Sequence, residues 1–313
     1  MGLRLLYGLK TRDAAYLNIF YPSRRLKEAA QTLGLTYAQR LFPLEPDFSA
    51  DKWLHDQVAV SELQDWAAGQ VVLLRGDLPQ AVYRIVAASA ARIVNPWESV
   101  ALSGDKLAAA AFFGRLGTVH PHTSLLTESA ATTEISGDSN TELRADRQFT
   151  YPFVLKPRYG KKGWQVSLIN NAQELAAYPA DADTLIQDFV GGRPGSDLRF
   201  FYAAFSDAGH NPAAASPGSI CVLRSAEGFL SNAAQGGHMT TYQPAPELQA
   251  EADRIFLASG LIYGTVDFLF ADAQGRQFTV CELNSCPGFE ELECACRVDA
   301  AQAILRSALG IDT

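Results

Sequence analysis

With 313 residues, 48% of them hydrophobic, the chain can bury a substantial core, and its length predicts two or three subdomains. A net charge of -8 excludes broad nonspecific nucleic-acid binding while leaving room for a local basic patch. No run approaches the ~20 apolar residues of a bilayer span. MGLRLLYGLK lacks the apolar core and cleavage site of a signal peptide, so a soluble cytoplasmic protein with no membrane partner is expected. Of five cysteines, four crowd into Cys281, Cys286, Cys294 and Cys296 without a CxxC pair, which predicts reduced thiols rather than a zinc site.

From the N-terminus, LRLLYGL reads as a strand, SRRLKEAAQTLG as a capped helix ending at Gly34, and VVLLRGD as a second strand, an order that predicts an α/β layer with a parallel sheet. SGDKLAAAAFFGRLG predicts a helix entered through Ser103, with Lys106 in its first turns. A cation there opposes the helix macrodipole unless an anion lies nearby. The polar stretch from Thr127 to Thr150 predicts a loop or edge insertion. YPFVLKP and DTLIQDFV follow as apolar strands. VLKPRYGKKGWQV places Lys156 at a strand end, Gly160 and Gly163 where backbone N–H groups can approach an anion, and Lys161 and Lys162 as added charge. That composition suits a flexible phosphate cover or a solvated basic hairpin; neither a P-loop nor a GxGxxG fingerprint occurs. In LIQDFVGGRPGSDLRFF a strand, a glycine-rich link and a second strand carry Asp188, Asp197 and Arg199. Such a link can set backbone groups against a planar ring while an acid takes ribose hydroxyls, or it can be a solvated hairpin. EELECACRVDAAQAILRSALG predicts a closing helix.

Two strands near the C-terminus carry the sharpest signal. In GTVDFLF, Gly264 to Phe270, alternation puts Val266, Phe268 and Phe270 on one face and Asp267 on the other. In TVCELNSCPGFEE, Thr279 to Glu291, Glu282 and Asn284 project to one face just before Pro287 and Gly288 break the ladder. A turn centred between Gln274 and Gly275 sets Asp267 opposite Glu282. Two carboxylates about 5 Å apart repel by roughly 3 kcal/mol at an effective dielectric near 20. Two carboxylates and an amide oxygen, with no histidine nearby, suit Mg2+ or Mn2+, although a shared proton or a nearby lysine would also relieve the repulsion.

The succession NP, DK, P-x-T, VLKP-x-x-G-x-x-G, QDF, DLR, R, SN, GG, VDFLF and ELN-x-x-PGFEELE resembles, in order and spacing, the ATP-grasp superfamily. Within it the likeness is to the RimK-type carboxylate–amine ligases that add glutamate, and it covers most of the chain. The resemblance implies an α/β and α+β fold: a Rossmann-like N-terminal subdomain over residues 1–95, a central lobe over 96–185, and a C-terminal lobe over 186–313 that carries the metal site, the two lobes gripping ATP. It implies Lys106 and Lys156 on the nucleotide phosphates, Gly160 and Gly163 in the covering loop, and Gln187, Asp188, Phe189 and Val190 as a hinge strand against adenine, with Asp197 a ribose partner. Arg199, Arg224 and Asn232 would face the reacting phosphoryl group and carboxylate, and Asp267, Glu282 and Asn284 match the family's magnesium ligands. His120 and His122 fall in the P-x-T turn, outside the chemistry.

The resemblance further implies an amide or peptide bond made through an acyl phosphate, with release of ADP and phosphate. The substrates would be small-molecule or peptide carboxylates and amines, an amino acid such as glutamate among them; a homo-oligomer is left open. An ATP-grasp kinase with a hydroxyl acceptor, or a nucleotide-binding module without catalysis, would share most motifs. Intact Asp267, Glu282, Asn284, Lys156 and Lys106 argue against the second. Three positions depart from the pattern: Gln165 stands for a third loop glycine, Asp188 for the usual glutamate, and Leu230 for an arginine before Ser231-Asn232. The last removes a bidentate anion donor, which bears directly on glutamate as substrate.

Overall fold

The computed structural model describes residues 2–44, 53, 55–126, 149–160, 163–205, 218–229 and 238–311. At the N-terminus strands and helices alternate: β1 (Leu3–Leu9), α1 (Tyr21–Thr32), β2 (Tyr37–Pro43), α2 (Gln57–Ala67), β3 (Val71–Gly76), α3 (Gln80–Ala87) and β4 (Arg92–Val94). They form a parallel sheet in the order β2-β1-β3-β4. β1 and β3 are apolar almost throughout because both of their faces are covered, the usual condition of a parallel sheet. β2 is the edge strand, and its mixed YAQRLFP pattern conceals it in the sequence. α1 starts two residues earlier than expected, with Pro22 in its first turn; Ser23 is buried inside it and donates to Leu17 O instead of capping. The helix ends at Thr32 with Leu33 as its C-cap, just before the expected Gly34, whose φ of 66° is left-handed.

α4 (Trp97–Gly104) and α5 (Lys106–Arg115) lead into an antiparallel sheet built from β5 (Thr123–Leu125), β6 (Phe153–Pro157), β7 (Ser167–Ile169) and β8 (Thr184–Asp188), with α6 (Ala172–Ala177) before β8. Its order is β5-β8-β6-β7. Ser103 does not open α5. It closes α4, donating to Val100 O, while Asp105 caps α5 by accepting from Leu107 and Ala108 N–H at 3.0 and 3.1 Å. Most of the polar 127–150 stretch lies outside the described residues.

The third sheet is antiparallel, in the order β11-β10-β9-β12-β13, from β9 (Ser196–Tyr202), β10 (Ser219–Ser225), β11 (His238–Thr241), β12 (Gly264–Phe270) and β13 (Phe278–Asn284), with α7 (Pro246–Ser259) packed on one face. The strands β8 and β9, consecutive in sequence, therefore belong to different sheets, and the GGRPG link is the crossing between them. Gly192 is required there by packing: a Cβ would come within 2.3 Å of Phe270 O and 2.5 Å of Asp272 N. The expected closing helix is two, α8 (Glu290–Cys296) and α9 (Ala300–Leu309), broken at Arg297 with φ 55° and restarted by the Asp299 cap. The break turns Ala301, Ile304, Leu305 and Ala308 of α9 onto the N-terminal sheet, in one core with Leu3, Leu5, Leu26 and Leu73.

Asp267 stands opposite Glu282, as the turn-centred register requires. The register is not uniform, however. A β-bulge leaves Cys281 without a partner, so Phe268 pairs with Val280. In an unbroken strand Val280 and Glu282 would share a face; the extra residue sends Val280 into the core with Leu283 and leaves Glu282 on the other side.

Two buried polar residues lock the N-terminal layer to this hairpin. Asn95, which follows β4, donates to Tyr263 O and Ser285 O, both at 2.9 Å, and accepts from Ile262 N–H at 2.8 Å and Tyr263 N–H at 3.3 Å. Arg75 at the end of β3 donates to the Tyr263 hydroxyl and to Pro287 O, with its guanidinium over the rings of Tyr7, Tyr263 and Phe289. Asn95→Ala strips four backbone groups of a partner and should lower unfolding stability by about 2–4 kcal/mol. Denaturant titration checks this; a loss no larger than that of an average surface substitution would show the latch to be dispensable.

Candidate active site

Alternation splits β9, β10, β12 and β13 into two faces. Leu198, Phe200, Tyr202, Cys221, Val266, Phe268 and Phe270 enter the core beneath α7. The opposite face is divided along its length: Phe201, Val222 and Tyr263 join the core of the N-terminal layer, while Asp197, Arg199, Arg224, Asp267, Glu282 and Asn284 occupy the remainder.

Within that polar half the register places Arg199 opposite Asp267 and Asp197 opposite Arg224. Arg199 donates to both Asp267 oxygens at 2.9 and 2.6 Å. Arg224 donates to both Asp197 oxygens at 2.7 and 2.6 Å and reaches Asp267 Oδ2 at 2.9 Å. Burial would raise the Asp267 carboxyl, but Arg199 and then Arg224 outweigh it and hold the group below the usual carboxylate range. Its ionic contribution to stability is therefore full above the unfolded value of about pH 4 and is lost as pH falls through the folded value. The carboxylate pair read from sequence is thus not an unrelieved repulsion, because Asp267 is already balanced by guanidinium groups. Asp197, expected as a ribose partner, is 5% exposed with both oxygens engaged by Arg224.

Glu282 and Asn284 complete the outer rim, with Asn284 Oδ1 accepting from Cys286 N–H at 2.9 Å. Among the described residues no three His, Cys, Asp or Glu side chains are grouped to hold a metal. The third donor of this set is the Asn284 amide. Two carboxylates and an amide oxygen are hard donors that fit Mg2+ or Mn2+. The neighbouring Cys281 thiol does not compete: burial pushes it up to about 11, against the pull of Lys156 and with Glu282, Asp267 and Asp197 adding to the rise.

Lys156 brings in the second sheet. It lies on the face of β6 away from the Phe153, Leu155 and Ile186 core, is 6% exposed, and donates to Gln187 Oε1 at 2.9 Å. Gln187 in turn donates to Thr123 Oγ1 at 2.7 Å. β8 ends at Asp188, so Phe189 and Val190 lie beyond the strand rather than in it, at the entrance to the link between sheets. Lys106 Nζ donates to Gly160 O at 2.6 Å, which answers its unfavourable place at a helix start by seating it on a carbonyl. A clasp absent from the sequence reading reinforces that contact: Arg158 donates to both oxygens of Asp105 at 2.9 and 2.6 Å. The DK pair could have signalled it, since an N-cap acid also attracts a cation. Against burial, Arg158 and the α5 amides hold the Asp105 carboxyl below its ordinary range. His120 Nδ1 lies 3.0 Å from Thr118 O and His122 stacks on Phe149. Asn232, Lys161 and Lys162 lie outside the described residues.

Residues 105–308 match the profile of the RimK-like ATP-grasp domain. The chain belongs to the RimK-like ATP-grasp family. It is 29% identical over 295 residues to a probable alpha-L-glutamate ligase of Stenotrophomonas maltophilia, spanning 91% of this chain and 93% of that protein. A protein of the same name from Picosynechococcus sp. is 30% identical over 217 residues, 67% of this chain and 65% of that one. A RimK domain ATP-grasp protein from Sphaerobacter thermophilus superposes with a TM-score of 0.61 at 20% identity, over 98% of this chain and 100% of that one. D-cycloserine synthetase DcsG superposes at 0.63 with 18% identity, over 99% and 100% of the two chains. The ATP-grasp fold expected from motif order is the fold found. As a RimK-like ATP-grasp protein the chain is an ATP-dependent carboxylate–amine ligase. Among the described residues, no helix is long and apolar enough to cross a membrane.

Gln165, standing for the third glycine, has φ 55°, in the left-handed region that disfavours side chains. Gln165→Gly should raise stability by up to about 1 kcal/mol, and the β-branched Gln165→Val should lower it by a similar amount. Melting temperatures of the two variants must move in opposite directions for this account to stand.

Proposed function

We propose that the polar half of the third sheet, facing Lys156, is where a substrate carboxylate is activated by ATP and joined to an amine. The observation that supports this most is the register that collects Arg199, Arg224, Asp267, Glu282 and Asn284 on one face at the sheet's open end. In this reading lobes 96–185 and 186–313 close on the nucleotide. Lys106 and Lys156 neutralise its phosphates, residues 187–190 border the adenine, and the loop carrying Gly160 and Gly163 covers it. Asp267, Glu282 and Asn284 would hold Mg2+ or Mn2+, which when bound neutralises charge between the terminal phosphates. A carboxylate oxygen attacks the γ-phosphorus, the bond to the bridging oxygen breaks, and ADP departs. The amine then attacks the acyl carbon, the C–O bond breaks, and phosphate leaves as the nitrogen loses a proton. Arg199 and Arg224, fixed by their carboxylate partners, present N–H groups to the acyl phosphate and to the oxyanion that follows. We take an amino acid as one substrate, glutamate being the candidate that the relatives' names support.

The two carboxylates should respond differently to neutralisation. Asp267→Asn leaves Arg199 and Arg224 partly uncompensated in a buried site and should cost about 3–5 kcal/mol of stability as well as turnover. Glu282→Gln should abolish turnover while leaving the melting temperature near that of the parent, because Arg224 feels Glu282 only after Asp267 and Asp197, both of which stay in place. Full activity in Glu282→Gln would remove it from the metal set.

With ATP, magnesium and a carboxylate substrate, hydroxylamine in place of the amine should yield a hydroxamate detectable by mass spectrometry, and Arg224→Lys, which cannot pair bidentately, should suppress it at least tenfold. A stable phosphorylated product without hydroxamate would instead point to phosphoryl transfer to a hydroxyl.

A further inference from the structure

We propose that the outer edge of β2 is a docking site for an acidic polypeptide segment in extended conformation, bound as an added strand. A cavity of about 600 Å³ lies along this strand. The consecutive residues Tyr37, Ala38, Gln39, Arg40 and Leu41 all line it. Successive side chains of a strand point to opposite faces, so a cavity touching every residue follows the backbone edge rather than either face.

The hydrogen-bond phase shows what that edge offers. Leu3 N–H donates to Thr36 O at 2.8 Å and Leu44 N–H to Leu9 O at 2.9 Å, bracketing a uniform parallel register from Leu3 opposite Tyr37 to Leu9 opposite Pro43. In such a ladder alternate residues bond to the neighbouring strand. The even-numbered residues of β2 therefore face β1, and the N–H groups of Tyr37, Gln39 and Leu41 turn outward. Pro43, which has no N–H, occupies the next outward position, where it costs no ladder bond.

Charge identifies the occupant. In a chain of net charge -8, the described residues lining this cavity include Lys27 and Arg40 and no carboxylate. Lys27 belongs to α1, on the face where Tyr37 and Leu41 pack, whereas Arg40 reaches Glu62 of α2 on the opposite face, where Phe42 packs. The Arg40–Glu62 pair, at 3.3 Å and largely exposed, is weakly held and can exchange partners. A strand added here sends its side chains alternately to the two faces, and an acidic side chain on either face meets a cation. β2 is the edge away from β4, so the site is separate from the Asn95 latch and from the polar face of the third sheet. Main-chain pairing supplies affinity without a fixed sequence, and the cations select for acidity.

The probe is a fluorescein-labelled, end-blocked decapeptide of repeating Glu-Glu-Thr-Thr, which carries Glu on both faces of an added strand, compared by anisotropy on the full chain with its counterpart in which Lys replaces Glu. The Glu peptide should bind saturably, at least tenfold more tightly than the Lys peptide, and weaken as salt rises. Lys27→Glu and Arg40→Glu should each reduce affinity at least fivefold. Gln39→Pro removes an outward N–H but no ladder bond; with an unchanged melting temperature it should lose at least tenfold in binding. If that variant does not fold, two Glu peptides N-methylated at odd or at even positions decide, since one must bind and the other must not. Equal binding of the two N-methylated peptides, undiminished binding to a folded Gln39→Pro, or no saturable binding of the Glu peptide overturns the proposal.

Discussion

One buried carboxylate organises the functional half of the molecule. Asp267, 2% exposed, accepts from two guanidinium groups on two neighbouring strands, and the nearer of its demands is met only if Arg199 and Arg224 stay on the same face. A charge taken from water is tolerated when it is paired and hydrogen-bonded, and Arg224 needs Asp197 for the same reason. Ionic side chains on three adjacent strands thus constrain one another across 27, 43 and 68 residues of sequence. Beyond them on the same face Phe201 and Val222 are free to be apolar, and there the N-terminal layer docks. The boundary between core and chemistry is a boundary in register.

Much of this was legible in the sequence, though not always for the full reason. The pairing of Asp267 with Glu282 follows from a turn-centred count, yet it holds because a bulge at Cys281 corrects a register that starts one residue off near the turn. Alternation reports faces well, and it cannot announce an inserted residue. Ser103 and Asp105 are both good N-caps two residues apart, and local preference does not say that a preceding helix uses the first of them. β2 escaped notice because an edge strand needs no continuous apolar pattern. The arginine partners were the largest omission. Sequence spacing shows which residues share a strand face, but partners on β9, β10 and β12 emerge only from the strand order.

The central sheet is held within itself and to the start of α5 by few, strong contacts. Lys156 holds Gln187, Gln187 holds Thr123, and the loop beyond Lys156 is fastened to the start of α5 by both Asp105–Arg158 and Lys106–Gly160. A cationic loop pinned at its base has fewer arrangements to lose when an anion arrives, which is how a fixed anchor favours binding without touching the ligand. On the other side of the crossing, Gly192 lies so near the β12–β13 hairpin that a methyl group would collide with backbone.

The return of α9 to the N-terminal sheet also sets an order of events during synthesis. Leu3, Leu5, Leu26 and Leu73 leave the ribosome well before the helix whose Ile304 and Leu305 complete their core. Until then one face of the nascent sheet keeps an apolar surface in water, the condition under which chains are caught by chaperones or by one another. Premature termination just ahead of α9 would spare every residue of the polar face and still release a product that cannot close its first layer.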